Sequence, residues 1–231
     1  MTSLRTGFIL AAILVATSVQ AQSPQPYGIA TFGEFRKMAM QRDYAAKATL
    51  AAVVANGATD GVGAVTDARG EVTIVDGKAI VSYGKETDRL PPASETAMLL
   101  ATAAVREWQE VRVDRDVKPA EIESFLAGEA KSRGIDPEKS FPFRLHGTLT
   151  TYVMHVTTGP GSGHPPLAQD TQKGDAIAGL VVGLYVAPQL VGVATHPGER
   201  THSHWISEER TATTHLDAWG IKSGAVLLLP K

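Results

Sequence analysis

Three of the seven histidines in this chain of 231 residues lie in one short stretch, "HSHWISEERTATTH", at residues 202–215. His202 and His204 are two residues apart, so on a β-strand their side chains would project from the same face. If the chain turns at Glu209-Arg210, His215 lies opposite His204 on the returning strand, with the two β-carbons about 5 Å apart. The three imidazoles would then converge at a separation that a zinc ion can bridge with Zn–N distances of about 2.1 Å.

A site with three histidine ligands leaves one coordination position open, which is typical of catalytic rather than structural zinc. The alternative interpretation is a surface hairpin that happens to be rich in histidine. A nucleophilic triad fits less well, because the chain has no cysteine and Ser203 would point away from both flanking histidines. The other four histidines have no comparable partners in the sequence, so from the residues alone we expect them to be structural or exposed: His146, His155, His164 and His196.

The composition is that of an ordinary globular protein, with 43% hydrophobic and 20% charged residues. The formal net charge of −2 provides no electrostatic attraction for nucleic acid or for an anionic membrane, so we expect neither as a partner. Because cysteine is absent, disulfides, thiolate catalysis and cysteine-ligated zinc or iron–sulfur sites are excluded. A metal bound by this protein would need His, Asp or Glu ligands.

Residues 1–21 have the pattern of an export signal. Arg5 precedes the apolar run "GFILAAILVA" at residues 7–16, and small residues follow at Val19 and Ala21. The apolar run is short for a membrane span. We therefore expect cleavage after Ala21, a periplasmic or secreted product, and no membrane attachment after cleavage; the alternative is an uncleaved N-terminal anchor.

The elements that must position the histidines are mainly strands. Two alternating, β-branched runs around Asp76-Gly77 predict a hairpin over "EVTIVDGKAIVSY", and "THSHWI" with "TTHLDAW" predicts the histidine hairpin. The segment "FPFRLHGTLTTYVMHVTT" predicts two strands joined at His146-Gly147. Two further strands are expected in "AIAGLVVGLYVA" and "AVLLLP", whereas "GPGSGHPPLAQDTQKGD" is typical of a long polar loop.

Helices are expected in two places. A capping box at Thr31–Glu34 predicts a helix over residues 32–55, broken near Asp43, and "KPAEIESFLAGEAKSRG" predicts a helix that ends at Gly134. The stretch "ETAMLLATAAVREWQEVRV" is ambiguous between helix and strand. This order of elements predicts an α+β fold with mixed or antiparallel sheets and a few helices. Residues 22–231 would form one domain, which could divide into two lobes near residue 140.

Taken in order, these segments resemble the α-acetolactate decarboxylase family over most of the chain. "DGVGAVTDARGEVTIVDGKAIVSYG" is similar to the family's glycine-containing segment and G-E and D-G-K hairpin, and "FPFRLHGTLTTYV" to its central strand pair. The most specific block is "AGLVVGLYVAPQLVGVATHPGERTHSHWISEERTATTHLDAW". It is similar to the family's G-[FY]-x-x-P strand, H-x-H, E-[DE]-R, and a third histidine followed by L-D. The family's zinc ligands fall on His202, His204 and His215.

The resemblance implies zinc-dependent decarboxylation of 2-acetolactate to acetoin, a carboxy-lyase reaction. A family glutamate near the metal falls on Glu71, which would deliver a proton to the enolate-like carbon left by CO₂; from the residues alone it would be an exposed carboxylate at a strand end. The family's active-site arginine aligns with about His155, which could hold a substrate carboxylate only when protonated. A second family glutamate lies in a C-terminal extension, whereas this sequence stops at "AVLLLPK".

These two departures predict weak turnover unless neighbouring residues compensate. Asp217 shares the face of His215 through two-residue spacing, so it could supply the acid or orient a ligand histidine. The acid could also be replaced by Glu208 or Glu209, and the cation by Arg144 or Arg210. Two alternative functions stay open, namely a zinc-binding relative acting on another small hydroxy-keto acid and a metal-dependent binding module without turnover. We expect a small-molecule hydroxy-keto acid as the substrate and a homodimer as the assembly.

Overall fold

The computed structural model describes residues 26–84, 92–161 and 167–231. The predicted export signal at residues 1–21 and His164 lie outside this range. The described residues form two sheets, in which every strand pairing is antiparallel, and three α-helices. The predicted α+β class with antiparallel sheets is therefore confirmed. Within the same ranges, no helix is long and apolar enough to cross a membrane.

The first sheet has six strands in the order β1-β6-β3-β4-β5, with β2 also paired to β6. Its strands are β1 (Ala30–Phe32), β2 (Ala48–Thr49), β3 (Asp60–Val65), β4 (Gly70–Val75), β5 (Lys78–Tyr83) and β6 (Thr96–Ala103). The predicted hairpin over "EVTIVDGKAIVSY" is confirmed as β4–β5, with φ of 51° at Asp76 and 69° at Gly77. Both turn residues are types that tolerate the left-handed region, which explains why the hairpin could be predicted from the sequence.

The second sheet has seven strands arranged around one long strand. Its strands are β7 (Trp108–Arg112), β8 (Phe141–Pro160), β9 (Leu167–Gly174), β10 (Ile177–Tyr185), β11 (Thr201–Ile206), β12 (Thr213–Ile221) and β13 (Val226–Pro230). β9 and β10 pair along one edge of β8, and β12 and β13 pair along the other. Because β11 joins β10 to β12, the strands β8, β10, β11 and β12 close into a ring.

The central strand β8 was predicted as two strands, and this prediction is wrong. Gly147 lies within the strand at a φ of 153°, and a side chain there would meet Ala225. β10 and β13 pair with this part of β8 along its two edges, so the strand continues through Gly147. The predicted polar loop after β8 is also wrong in part, since it contains β9, which pairs with the second half of β8.

The helices are α1 (Phe35–Gln41), α2 (Leu50–Ala55) and α3 (Ile122–Ser132). The predicted break near Asp43 is confirmed, because α1 ends at Gln41, the following Arg42 has a φ of 55°, and β2 separates α1 from α2. The capping box is wrong, since Thr31 lies in β1 and the residue that precedes α1 is Glu34, which makes no side-chain capping bond. The ambiguous stretch forms strands β6 and β7.

Buried aliphatic residues join the two sheets. One cluster contains side chains from β3, β6, β10 and β11, among them Val62, Ala101, Val182, Leu184 and Ile206. Burying one such aliphatic side chain contributes roughly 1.5–3 kcal/mol. The chain passes from the first sheet to the second between Ala103 and Trp108. The packed sheets bring β4 of the first beside β8 and β12 of the second, and the candidate site lies there.

Candidate active site

The histidine hairpin forms as the spacing predicts. In the pairing of β11 with β12, His204 lies directly opposite His215. The ring centroids of His202, His204 and His215 are 5.0–5.3 Å apart, and one nitrogen from each ring lies within 4.8 Å of the others. All three side chains are buried, so the interpretation as a histidine-rich surface hairpin is wrong.

Two of these rings are oriented by hydrogen bonds at Nδ1. His202 Nδ1 donates to the carbonyl oxygen of Ala194 at 2.9 Å, and His204 Nδ1 lies 3.0 Å from the hydroxyl oxygen of Thr73. The other nitrogen of His204, Nε2, is buried and has no hydrogen-bond partner among the described residues. A buried nitrogen without a partner is costly. A metal ion would satisfy it, so the three histidines fit a metal site.

Burial also keeps the three imidazoles in the neutral form. It lowers the pKa of His202 to about 3, and the neighbouring His196 acts in the same direction. Burial and the nearby histidines likewise hold the pKa of His204 and of His215 well below the ordinary value. Neutral imidazole is the form that binds a metal, so the ligands need lose no proton at neutral pH.

Glu71 enters the cluster from β4 of the first sheet, and it is buried rather than exposed at a strand end. Its Oε2 lies 3.7 Å from His204 Nε2, and its Oε1 accepts a hydrogen bond from the backbone N–H of Thr157 at 3.2 Å. Burial raises the pKa of Glu71 to about 7, against the opposing effects of His155 and Thr157. This carboxyl group is therefore protonated in a large fraction of molecules near neutral pH.

His155 extends the row of histidines by one strand, because it pairs with His215 across β8 and β12. Its ring centroid is 4.8 Å from that of His215, and its Nε2 lies 4.0 Å from Glu71 Oε1 and 3.1 Å from Gln169 Nε2. Its Nδ1 lies 2.8 and 2.9 Å from the two carboxylate oxygens of Asp217. Burial acts to lower the pKa of His155, but Asp217 and Glu71 together raise it above the ordinary value.

Asp217 is placed by an irregularity in β12. The register between β12 and β8 shifts between Leu216 and Ala218, and the Asp217 carboxylate hydrogen-bonds to His155 rather than to His215. The two-residue spacing from His215 therefore does not predict its partner. Asp217 orients His155, which is not one of the three clustered ligands.

Two further residues at the site were missed from sequence. His196 lies between the 3-10 turn Pro188–Leu190 and β11, with its ring centroid 4.4 Å from Phe35 and 5.3 Å from His215. Gln169 reaches the site from β9. No pattern in the sequence places either residue at the site, because His196 lies in an irregular segment and Gln169 lies in a stretch predicted to be a loop.

These side chains line a cavity of about 30 Å³. Its polar lining comes from Glu71, His155, Thr157, Gln169, His196, His202 and His215, and its apolar lining from Phe35, Met38, Ala64, Leu99 and Leu167. A small molecule with both polar and apolar parts suits such a lining.

The residues proposed from the sequence to replace the family's arginine and second glutamate are not among the described residues that line this cavity. Arg144 is buried in an ion pair with Asp60, and both Arg144 and Arg210 bind Asp76. Glu208 and Glu209 are exposed beside the turn between β11 and β12. The positions of these four residues therefore do not support a role in place of the family's arginine or second glutamate.

Comparison with known proteins gives one consistent result. The profile of the family described as alpha-acetolactate decarboxylase matches residues 35–229. Alpha-acetolactate decarboxylase from Bacillus subtilis strain 168 has a similar structure, with a TM-score of 0.71 and 15% identity over 88% of this chain and 85% of that chain. The acetolactate decarboxylase of Bacillus subtilis subspecies spizizenii has a TM-score of 0.70 and 16% identity over 88% and 86% of the two chains.

A third similar structure is a protein of unknown function from Staphylococcus aureus that is described as similar to alpha-acetolactate decarboxylase. It has a TM-score of 0.67 and 16% identity over 88% of this chain and 84% of that chain. No curated protein sequence matches the chain. At these identities the structural likeness shows a shared fold.

Proposed function

The chain belongs to the alpha-acetolactate decarboxylase family, and from this membership we propose that it catalyses the zinc-dependent decarboxylation of 2-acetolactate to acetoin. The family implies a carboxy-lyase with a small-molecule substrate. One observation carries the proposal. The protonatable carboxyl group of Glu71 lies 3.7 Å from His204 Nε2, a buried nitrogen without a hydrogen-bond partner in the described part of the chain, beside a cluster of three neutral histidines.

His202, His204 and His215 would hold the metal, since three imidazoles suit zinc and leave a position open. When bound, zinc supplies Lewis-acid stabilisation of the negative charge that develops on the substrate oxygens as CO₂ leaves. The protein contributes a buried setting in which the ligands are already neutral and oriented. The same burial strengthens electrostatic interactions with the developing charge.

Glu71 is the proposed proton donor. When the bond between the carboxylate carbon and the adjacent carbon breaks, its electron pair stays with the adjacent carbon, which takes a proton to give the product. A carboxyl group with a pKa of about 7 holds a proton in many molecules at neutral pH and gives it up at a modest cost. The N–H of Thr157 fixes one of its oxygens, so the other faces the histidine cluster.

His155 is the proposed contact for the substrate carboxylate, at the position where the family resemblance places an arginine. The Asp217 carboxylate binds Nδ1, and Nε2 is left on the side of Glu71 and Gln169. A protonated imidazole offers a carboxylate one N–H here, whereas an arginine offers a bidentate pair. This difference favours the second candidate, a related small hydroxy-keto acid whose carboxylate needs less support.

The test is acetoin formation from racemic 2-acetolactate by the zinc-loaded full chain, against a control without protein. We expect metal-dependent turnover that is lost in His204→Ala and strongly reduced in Glu71→Gln. His146→Ala is the matched control, because His146 is an exposed histidine of β8 outside the cluster. Zinc binding without acetoin would contradict acetolactate as the substrate. Turnover of another small hydroxy-keto acid would then support the second candidate. If the protein turned over none of these acids, a metal-dependent binding module would be supported.

We also propose that the protein is exported and acts in the periplasm or outside the cell. Support for export comes from the sequence pattern of residues 1–21, with a charge, an apolar run and small residues before Gln22. The homodimer stays a prediction from the sequence.

A further inference from the structure

We infer that Thr73 is a positioning residue for the metal site, which fixes the tautomer and the orientation of His204 through its hydroxyl group. The inference rests on the proposed metal site and adds a residue that lies outside the three ligands. Thr73 follows Glu71 by two residues on β4, so both side chains project from the same face of the first sheet.

The Thr73 hydroxyl lies between two polar groups. Its oxygen is 3.0 Å from His204 Nδ1 and 2.6 Å from the hydroxyl oxygen of Thr213. All three residues are fully buried. A water molecule therefore cannot replace a lost hydrogen-bond partner unless the packing changes. The three side chains must satisfy their hydrogen bonds here with one another.

The position of the protons follows from counting donors and acceptors. If Thr73 donated to His204 Nδ1, the proton of the neutral ring would sit on Nε2, where the nearest carboxylate oxygen is that of Glu71 at 3.7 Å. That distance is too long for a hydrogen bond, so the proton on Nε2 would be buried and unpaired. With the proton on Nδ1, His204 donates to Thr73, and Thr73 donates to Thr213. Nε2 then carries the free lone pair that a metal requires.

Strand β4 thus contacts His204 at both nitrogens. Glu71 lies on the side of Nε2, and Thr73 binds Nδ1. Thr213 is held in turn, because its backbone N–H donates to the Ser82 hydroxyl at 2.8 Å. This arrangement links the proton donor and the ligand to one strand, so the loss of the Thr73 hydroxyl would release the ring from that strand. Loss of such an outer partner of a metal-binding histidine typically costs about 10–100-fold in metal affinity.

The test compares Thr73→Val, which removes the hydroxyl at similar size, with Thr73→Ser, which keeps it. Thr102→Val is the matched control, because Thr102 is a buried threonine of β6 whose hydroxyl donates to the Ala30 carbonyl at 3.5 Å, away from the histidines. The first measurement is the zinc dissociation constant by competition with a chromophoric chelator. The second is the tautomer of His204 in metal-free full-length protein, from ¹⁵N chemical shifts and long-range ¹H–¹⁵N couplings.

We expect Thr73→Val to weaken zinc binding by about 10–100-fold. Thr73→Ser and Thr102→Val should stay within about threefold of the unmodified protein, which lies well below that effect. In metal-free protein, His204 should be the Nδ1–H tautomer, and Thr73→Val should lose this preference. Equal losses in Thr73→Val and Thr73→Ser, or no loss in either, would overturn the inference. An Nε2–H tautomer in the unmodified protein would also overturn it, even if Thr73→Val failed to fold.

The two readouts separate this inference from the proposed function. A protein that binds zinc and follows the Thr73 pattern, but forms no acetoin, would support the inference and contradict the proposed substrate. If the unmodified protein forms acetoin but Thr73→Val leaves the zinc affinity unchanged, the proposed substrate is supported and the inference about Thr73 is contradicted.

Discussion

Replacing Arg144 with methionine tests how the two sheets are held around the site. Arg144 on β8 binds Asp60 on β3 through Nε at 2.6 Å and Nη2 at 3.1 Å, and it binds Asp76 in the β4–β5 turn at 2.8 Å. The side chains of Arg144 and Asp60 are 7% and 1% exposed. The pair therefore joins the sheet that carries Glu71 to the sheet that carries the histidines.

The magnitude follows from the burial of Asp60. Without Arg144, the Asp60 carboxylate keeps a hydrogen bond from the Thr59 hydroxyl at 2.8 Å, and it has no charge partner among the described ion pairs. Removing one partner of a buried ion pair typically costs about 3–5 kcal/mol, because the other charge is left uncompensated. The guanidinium also lies 4.8 Å from the ring centroid of Trp108, and losing that contact adds to the cost. Methionine retains an apolar chain of similar length, so the change is mainly electrostatic.

The assay is urea unfolding of metal-free protein followed by circular dichroism. With a denaturant slope of about 2 kcal/mol/M, a loss of about 3–5 kcal/mol lowers the midpoint by about 1.5–2.5 M. Arg210→Met is the matched control, because Arg210 binds the same Asp76 at 2.8 Å but is 45% exposed, which limits its contribution to below about 1 kcal/mol. The double variant Arg144→Met, Asp60→Asn should recover part of the loss. Equal, small losses in Arg144→Met and Arg210→Met would refute the reasoning.

Three further predictions concern the site and the export signal. The pKa of Glu71 is raised from 4.5 to about 7 in the folded state, so its contribution to stability is present below about pH 4.5 and is lost as the pH rises through 7. Metal-free protein should therefore lose about 3 kcal/mol relative to Glu71→Gln between pH 4.5 and 8, and parallel pH curves would contradict this. His155→Arg should raise acetoin formation by up to about 10²-fold, and an ordinary enzymatic rate that is insensitive to changes at His155 and Glu71 would show the site assignment to be wrong. N-terminal sequencing of exported protein should begin at Gln22, whereas an intact Met1 would show that the signal is retained.

Local patterns in the sequence were enough to predict the two hairpins. The Asp76-Gly77 turn has residues suited to positive φ. His204 and His215 are equally far from the Glu209-Arg210 turn, so their pairing could be predicted from the sequence. The stretch that forms β6 was ambiguous because its alanines and leucines favour helix. Its place between β1 and β3, with nearly every side chain buried, overrides that propensity.

Contacts between distant strands could not be predicted in the same way. Gly147 suggested a turn, and only the pairing on both edges of β8 shows that the strand continues. The partner of Asp217 depends on a bulge in β12, which no residue spacing reveals. Thr73 and Gln169 reach the histidines across strands, at separations of 131 and 14 residues along the chain.

The metal content of the purified full chain tests the central claim most directly, because every proposed step depends on the histidine cluster. Elemental analysis should find close to one equivalent of zinc per chain, unchanged in His146→Ala and lost in His204→Ala. A full equivalent of zinc in the variant with alanine at positions 202, 204 and 215, or no zinc uptake by the unmodified protein, would contradict the account.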